Sequence, residues 1–129
     1  MSGGLPQGKL PSSLLARLLA ALPATDVVLG ARPGEDAAVL SAPHESLVVT
    51  SDPITFTAAR IGRHAVQVNA NDIAAMGAEP RWLLATVLLP PGTDEECVTD
   101  LVADISTTCA TTGISLIGGH IEVLTQSSA

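Results

Sequence analysis

An α+β fold, with a mixed or antiparallel sheet and helices packed on one face, is predicted by three features of this sequence. Apolar residues recur at helical spacing in three stretches, residues 14–22, 65–76 and 98–109. Between them lie short runs rich in Val, Leu and Ile that read as strands, at residues 27–29, 37–40, 47–51, 83–89 and 114–117. Two of these runs are separated only by a short turn segment around Pro43, which predicts at least one hairpin.

Residues 1–11 are rich in Gly and Pro and are expected to form a flexible segment, and residues 12–129 a single domain. Ser12 or Ser13 can cap the first helix. Leu14, Leu15, Leu18, Leu19 and Leu22 follow at helical spacing, and Pro23 ends it. Residues 27–29 form a short strand and residues 30–34 a turn-rich loop. The strands at 37–40 and 47–51 are joined by a turn over residues 41–46, with His44 facing solvent. Residues 56–63 connect to a helix predicted over 64–76, with Ile61 and Gly62 just ahead of it. Gly77 follows the last helical turn, where positive φ closes a C-cap, and Pro80 stops any continuation. The continuous apolar run at 83–89 predicts a buried strand. Thr93 or Asp94 caps the next helix, with Glu96 close enough for a capping box. Val98, Leu101, Val102, Ile105 and Cys109 give that helix one apolar face, and Gly113 ends it. Residues 114–117 and 121–124 predict two further strands, joined by a tight turn at Gly118-Gly119.

The 129 residues are 47% hydrophobic, with only Phe56 and Trp82 as aromatics, so the core is built from Leu, Val, Ile and Ala. No apolar run reaches the roughly 18 residues that cross a bilayer, which argues against a membrane protein. A formal net charge of −7 argues against non-specific binding to nucleic acid, whose affinity comes from Lys and Arg on phosphates. It does not argue against a polyphosphate bound through divalent metal. Cys97 and Cys109 fall in one predicted helix, about 18 Å apart at its rise per residue, too far for a disulfide. Two free thiols and no export signal indicate a cytoplasmic protein.

Against this apolar background several polar residues stand out. Asn69, Asn71 and Asp72 sit in an alanine-rich helix, where burial without partners is costly. Asp36 lies just ahead of one apolar run and Asp52 just after another. Such an Asp is either held by neighbouring donors or bound to a cation, and taken singly the first reading is the commoner. His64 opens a helix and suits a structural role, and Met76 suits the core. Arg60 and Arg63 flank Gly62, within reach either of phosphate or of solvent alone. Glu35 is either a supporting acid for Asp36 or an exposed loop residue. The sequence contains no GxSxG elbow and no GxxxxGK[ST] phosphate loop.

Four segments taken together, GEDAAVL at 34–40, VVTSDPIT at 48–55, NANDIAAMGAEP at 69–80 and LIGGHIEV at 116–123, carry a resemblance. In composition and order they are similar to the amino-terminal domain of the aminoimidazole ribonucleotide synthetase (AIR synthase) superfamily. That group includes thiamine-monophosphate kinase, selenophosphate synthetase and the hydrogenase-maturation protein that dehydrates a carbamoyl thioester. The resemblance implies an ATP- and Mg²⁺-binding domain whose sheets pair across a two-fold axis into a closed barrel, making a homodimer. It implies Asp36, Asp52 and Asp72 as metal-binding carboxylates. It further implies Thr50 and Ser51 as oxygen donors beside the metal, Asn69 and Asn71 as polar contacts, and Gly118-Gly119 as the glycine pair approached by phosphate. Mg²⁺ takes one or two carboxylates plus phosphate oxygens and water, which suits acids delivered from separate segments.

His120 departs from the family pattern, because several branches place an acid there. Imidazole suits Mg²⁺ poorly. Glu122, two residues on, shares the same strand face and is the substitute metal ligand. The resemblance gives three readings of function. The first is a hydrogenase-maturation-like domain in ATP-dependent, phosphoryl-type activation of a small acceptor. It is expected to be incomplete alone, since the family's second domain and the carboxy-terminal cysteine of the maturation protein are both missing. The second is a thiamine-monophosphate-kinase-like enzyme domain. The third is a non-catalytic dimerisation module that has lost its ligand.

Overall fold

The computed structural model describes residues 11–21, 26–30, 32–55 and 59–124. They fall into two compact units divided between Ser51 and Asp52. Among the described residues no helix is long and apolar enough to cross a membrane. Helices and sheets are both present, as predicted, but the strands form two separate sheets rather than one.

The first unit contains helix α1 (Ser12–Leu19) and strands β1 (Val27–Leu29), β2 (Ala38–Ala42) and β3 (Glu45–Val49). The α1 cap is Pro11, not a serine: Pro11 O accepts the Leu15 N–H, which draws both serines into the first turn. The helix closes at Ala20, and the predicted stop at Leu22 and Pro23 lies outside the described residues, as do residues 1–10. The three strands form an antiparallel sheet in the order β1-β2-β3. The β2–β3 turn is tighter than predicted, because Ala42 already pairs with Glu45 and only Pro43 and His44 remain unpaired. Pro43 presets φ for the first turn position, and His44 accepts φ 74° at the second, the pattern of a type II turn. His44 is exposed, as expected.

The second unit contains helix α2 (Ile61–Ala75), strand β4 (Trp82–Leu89), helix α3 (Glu95–Thr112) and strand β5 (Ser115–Val123). Local chemistry sets three of its helix ends as read. Asp94 Oδ1 accepts from the Cys97 N–H at 2.7 Å and caps α3. Gly77 and Gly113, at φ 75° and 73°, each close a helix with paired carbonyl bonds. After α2, Gly77 N–H donates to Ala74 O and Ala78 N–H to Ile73 O. These bonds satisfy carbonyls that a helix end leaves open. Glu96 is one residue short of the capping-box position, since Asp94 rather than Thr93 is the cap and Cys97 stands third in the helix.

The fourth end departs from expectation. Helix α2 starts at Ile61, three residues early, so Ile61 and Gly62 belong to its first turn. Asp104 of α3 causes this. Its Oδ2 accepts the Arg63 N–H at 2.8 Å, the bond an N-cap side chain would take, and its Oδ1 meets Arg60 Nη2 at 3.5 Å. Gly62 permits the approach: a Cβ there would lie 2.9 Å from Ile105 Cγ1 and 3.0 Å from Ile105 N. Arg60, at φ 66°, turns the chain into the helix. Asp104→Ala therefore removes a cap supplied by another helix. A loss of about 1–2 kcal/mol is expected, read as a lower urea midpoint with unchanged slope.

Strand β4 pairs with β5 in parallel, with α3 as the crossover between them. Val66 of α2, Ile105 and Cys109 of α3 and Ile114 form the buried cluster. Leu83, Ala85, Val87 and Leu116 pack against it, so both helices cover one face of this pair. The opposite face is open. Trp82, Leu84 and Leu88 are 58%, 69% and 57% exposed, so only one side of the predicted buried strand is covered. Cys97 is exposed, and burial pushes the Cys109 thiol up from its usual range. Both are free, as expected.

Gly118-Gly119 does not form the predicted hairpin turn. It lies inside β5, which runs unbroken through it. Leu83 pairs with Leu116 but Leu84 with Gly118, so Ile117 is an extra residue and the strand bulges there. The two glycines adopt φ 146° and 153°, and a Cβ on Gly119 would overlap the Ala85 carbonyl oxygen.

Candidate functional site

The centre of the second unit's polar chemistry is Asn69, near the middle of α2. Its Oδ1 accepts the Asp52 N–H at 2.8 Å, and its Nδ2 donates to Asp52 O at 2.9 Å and to Ala65 O at 2.9 Å. One amide thus grips both main-chain groups of Asp52 as a paired strand would, while its tie to Ala65 O fixes its own rotamer. The Asp52 side chain is left exposed to solvent, and Pro53 stiffens the chain beyond it. Asp72 lies three residues after Asn69, hence on the same side of the helix, with Cβ atoms about 5–6 Å apart. It is half-buried and engaged in a polar interaction. Two of the three predicted acids therefore ride on one helix face, Asp72 directly and Asp52 through the Asn69 clamp. Asn71 is exposed and turned about 200° around the axis from Asn69, so it shares neither that face nor the clamp.

Asp36, the third acid, belongs to the first unit. Its carbonyl accepts the Thr50 hydroxyl at 2.8 Å, which ties the loop before β2 to the end of β3. Glu35 is half-buried and its carboxylate pairs with Arg32 at 2.7 Å. Ser51 is exposed at the end of this unit.

On β5, Gly118, His120 and Glu122 pair with Leu84, Thr86 and Leu88, on the sheet face turned away from the helices. His120 Nε2 lies 3.4 Å from Glu122 Oε2, so the predicted shared face is observed. Arg60, Arg63 and Gln67 border a groove of about 390 Å³ with Thr107, Thr108, Thr111 and Thr112. The hydroxyls of Thr108, Thr111 and Thr112 donate to carbonyls of their own helix.

The donor chemistry suits a hard cation. Among the described residues of either unit, no three His, Cys, Asp or Glu side chains gather as a metal-holding group. One or two carboxylates are what Mg²⁺ takes from protein when phosphates and water complete its shell. Asp52 and Asp72 are carboxylates borne on, or tied to, α2. Sequence reading selected Asn69, Asp52 and Asp72 singly but missed the clamp joining two of them across 17 residues. An Asn in mid-helix, where its own propensity is poor, was the available signal.

A family model described as "AIR synthase related protein, N-terminal domain" matches residues 34–129. Carbamoyl dehydratase HypE of Rhodobacter capsulatus is 33% identical over 92 residues, covering 67% of this chain and 27% of that protein. Thiamine-monophosphate kinase of Haemophilus influenzae is 30% identical over 95 residues, covering 67% of this chain and 29% of the kinase. A solved structure of AaThiL complexed with AMPPCP and TMP superposes with a TM-score of 0.70 at 21% identity, a likeness of fold alone. It covers 88% of this chain and 36% of that one. The chain thus spans about a quarter to a third of the length of the curated relatives it matches. With the family match running through all four motif segments, from Gly34 to the glycine pair and beyond, the chain belongs to the AIR synthase related proteins, as their amino-terminal domain.

Proposed function

We propose that this chain is the ATP- and Mg²⁺-binding domain of a protein that activates a small acceptor by ATP-dependent, phosphoryl-type chemistry, in the manner of hydrogenase maturation. The Asn69 clamp, which sets Asp52 on the Asp72 face of α2, carries the reading. Asp52 and Asp72 would hold the metal; Asp36 and Glu122 are metal-ligand candidates by resemblance to the family alone. Bound Mg²⁺ supplies neutralisation of charge developing on the phosphates. Asn69 contributes indirectly, by fixing the Asp52 main chain. Asn71 is left for contacts on the helix's other side. Thr50, whose hydroxyl already donates to Asp36 O, offers oxygen lone pairs, as does Ser51. Of the glycine pair, Gly118 is the better candidate for phosphate approach. A Cβ there would meet only Leu84 Cδ2, at 3.6 Å, whereas Gly119 is already required by Ala85.

Asp72→Asn tests this reading, because it keeps size and removes charge. Isothermal titration of the folded protein with ATP and Mg²⁺ is expected to show at least about a tenfold loss of affinity in the variant. Equal affinity would overturn the proposal and favour a module that has kept the fold and lost its ligand. A second reading is thiamine-monophosphate-kinase-like chemistry, favoured by the 30% identity to the Haemophilus influenzae kinase. Phosphate transfer to thiamine monophosphate by the full-length protein separates it from the first.

The open face of β4 and β5 supports a homodimer in which two copies pair these sheets. On this reading residues 12–129 act as one domain within a cytoplasmic protein, completed by a further domain of the kind its longer relatives have room for.

A further inference from the structure

We propose that the groove between α2 and α3 is a docking surface for an extended acidic segment of a partner protein. The groove uses none of the residues of the nucleotide reading. Arg60, Arg63 and Gln67 border it at intervals of three and four residues, a single stripe of α2. That stripe lies about 120–180° around the helix axis from Asp72, so the groove is separate from the candidate metal site.

Charge is the first observation. The chain holds only six Lys and Arg at a net charge of −7, yet two of the six stand here and no acid lines the groove. Asp104, just beside it, has both carboxylate oxygens engaged, by the Arg63 N–H at 2.8 Å and by Arg60 Nη2 at 3.5 Å. The Arg63 guanidinium has no partner among the described residues. A guanidinium fork matches a carboxylate through two parallel hydrogen bonds. The second observation is Arg60 itself, at φ 66°, where glycine would sit without strain. What arginine adds there is a side chain, 61% exposed and bordering the groove. The third lies on the α3 side. The Thr108, Thr111 and Thr112 hydroxyls donate to carbonyls of their own helix, so what they offer a ligand is lone pairs. A peptide brings carboxylates for the arginines and main-chain N–H groups for the threonines, whereas a free oxyanion brings acceptors alone. Exposure decides in the same direction. Small-molecule sites bury about 70–90% of their ligand, but Arg60, Arg63, Thr111 and Thr112 are all exposed, which leaves a trough open along one side. The chain's own acidic run, Asp94 to Glu96, is taken up in the cap and first turn of α3, so the segment comes from another protein.

The test is fluorescence anisotropy of the whole chain with a fluorescein-labelled peptide of alternating glutamate and glycine. The control peptide has glutamine at each glutamate. The parent is expected to bind the acidic peptide at least about tenfold more tightly than the control at low salt, and less tightly as NaCl rises. Arg63→Gln is expected to weaken binding about fivefold, and Arg60→Gly with Arg63→Gln about twentyfold or more. Arg60→Gly keeps the positive φ without strain and Arg63 is exposed, so both variants fold. Thr111→Val is expected to cost about twofold to threefold. No binding by the parent, equal binding of the two peptides, or parent-like affinity in the double variant would overturn the inference. So would displacement of the peptide by inorganic phosphate where NaCl of equal ionic strength leaves it bound, which assigns the groove to a free oxyanion. Asp72→Asn is expected to bind the peptide as the parent does, whatever its affinity for Mg·ATP, so the two readings fail separately.

Discussion

Gly119→Ala is expected to abolish the paired core of the second unit, whereas Gly118→Ala weakens it only moderately. Both glycines sit at φ values that L-residues avoid, 146° and 153°. Forcing a side chain there costs about 1–3 kcal/mol in backbone strain alone. For Gly118 the cost stops near that figure, because the nearest atom to an added Cβ is the mobile end of Leu84, at 3.6 Å. For Gly119 the added carbon overlaps the Ala85 carbonyl oxygen and lies 2.7 Å and 2.8 Å from Ala85 C and N. These are main-chain atoms of β4 and cannot swing aside without parting the strands. Leu83, Ala85 and Val87 hold β4 against Val66, Ile105 and Cys109, so parting them opens the buried cluster. A domain of this size has a total stability of about 5–15 kcal/mol, and strain plus clash consumes a large share of it. Thermal unfolding by circular dichroism should show Gly118→Ala lowered by about 4–20 °C and Gly119→Ala without a cooperative transition. If Gly119→Ala melts within a few degrees of Gly118→Ala, the close pairing of β5 with Ala85 is refuted.

That glycine pair shows where sequence reading succeeds and where it stops. Two glycines between apolar runs carry the local chemistry of a turn. What makes them a bulge inside a strand is the Ala85 main chain, more than thirty residues earlier in sequence. The start of α2 is the same kind of case. Arg60 at the cap position makes no side-chain cap bond, and the bond comes from Asp104, 41 residues from Arg63. By contrast Asp94, Gly77 and Gly113 were legible, since a cap and its helix are neighbours in the chain. The apolar run of β4 predicted a strand correctly and misjudged its burial. A run apolar on both faces says that both want cover, not that this chain covers both. The candidate site follows the same division. Asp52, Asn69 and Asp72 were identifiable as residues, but their grouping on one side of α2 depends on Asn69 reaching back to Asp52.

The uncovered side of β4 leads to the other large effect. Trp82, Leu84 and Leu88 present apolar surface outward, with Thr86 between them, on the face that bears no helix. Sedimentation is expected to show the parent chain as a dimer at micromolar concentration and the Leu84→Asp/Leu88→Asp variant as a monomer. Each leucine buried at a sheet-on-sheet contact contributes about 2 kcal/mol. Four are lost when both copies carry the change, about 8 kcal/mol before any cost of burying carboxylates. That corresponds to a dissociation constant raised by more than about 10⁵-fold, enough to empty the dimer at any practical concentration. Because both side chains are more than half exposed in the single chain, the substitutions should leave its helical signal unchanged. A variant that stays dimeric would place the contact elsewhere. A parent that sediments as a monomer would leave the apolar face open to another partner and remove the homodimer from the proposal. If the dimer is present, Mg·ATP affinity measured in parent and variant then separates the two requirements. Asp52, Asn69 and Asp72 come from one chain, so any loss seen only in the monomer measures what the second copy adds to the proposed nucleotide site.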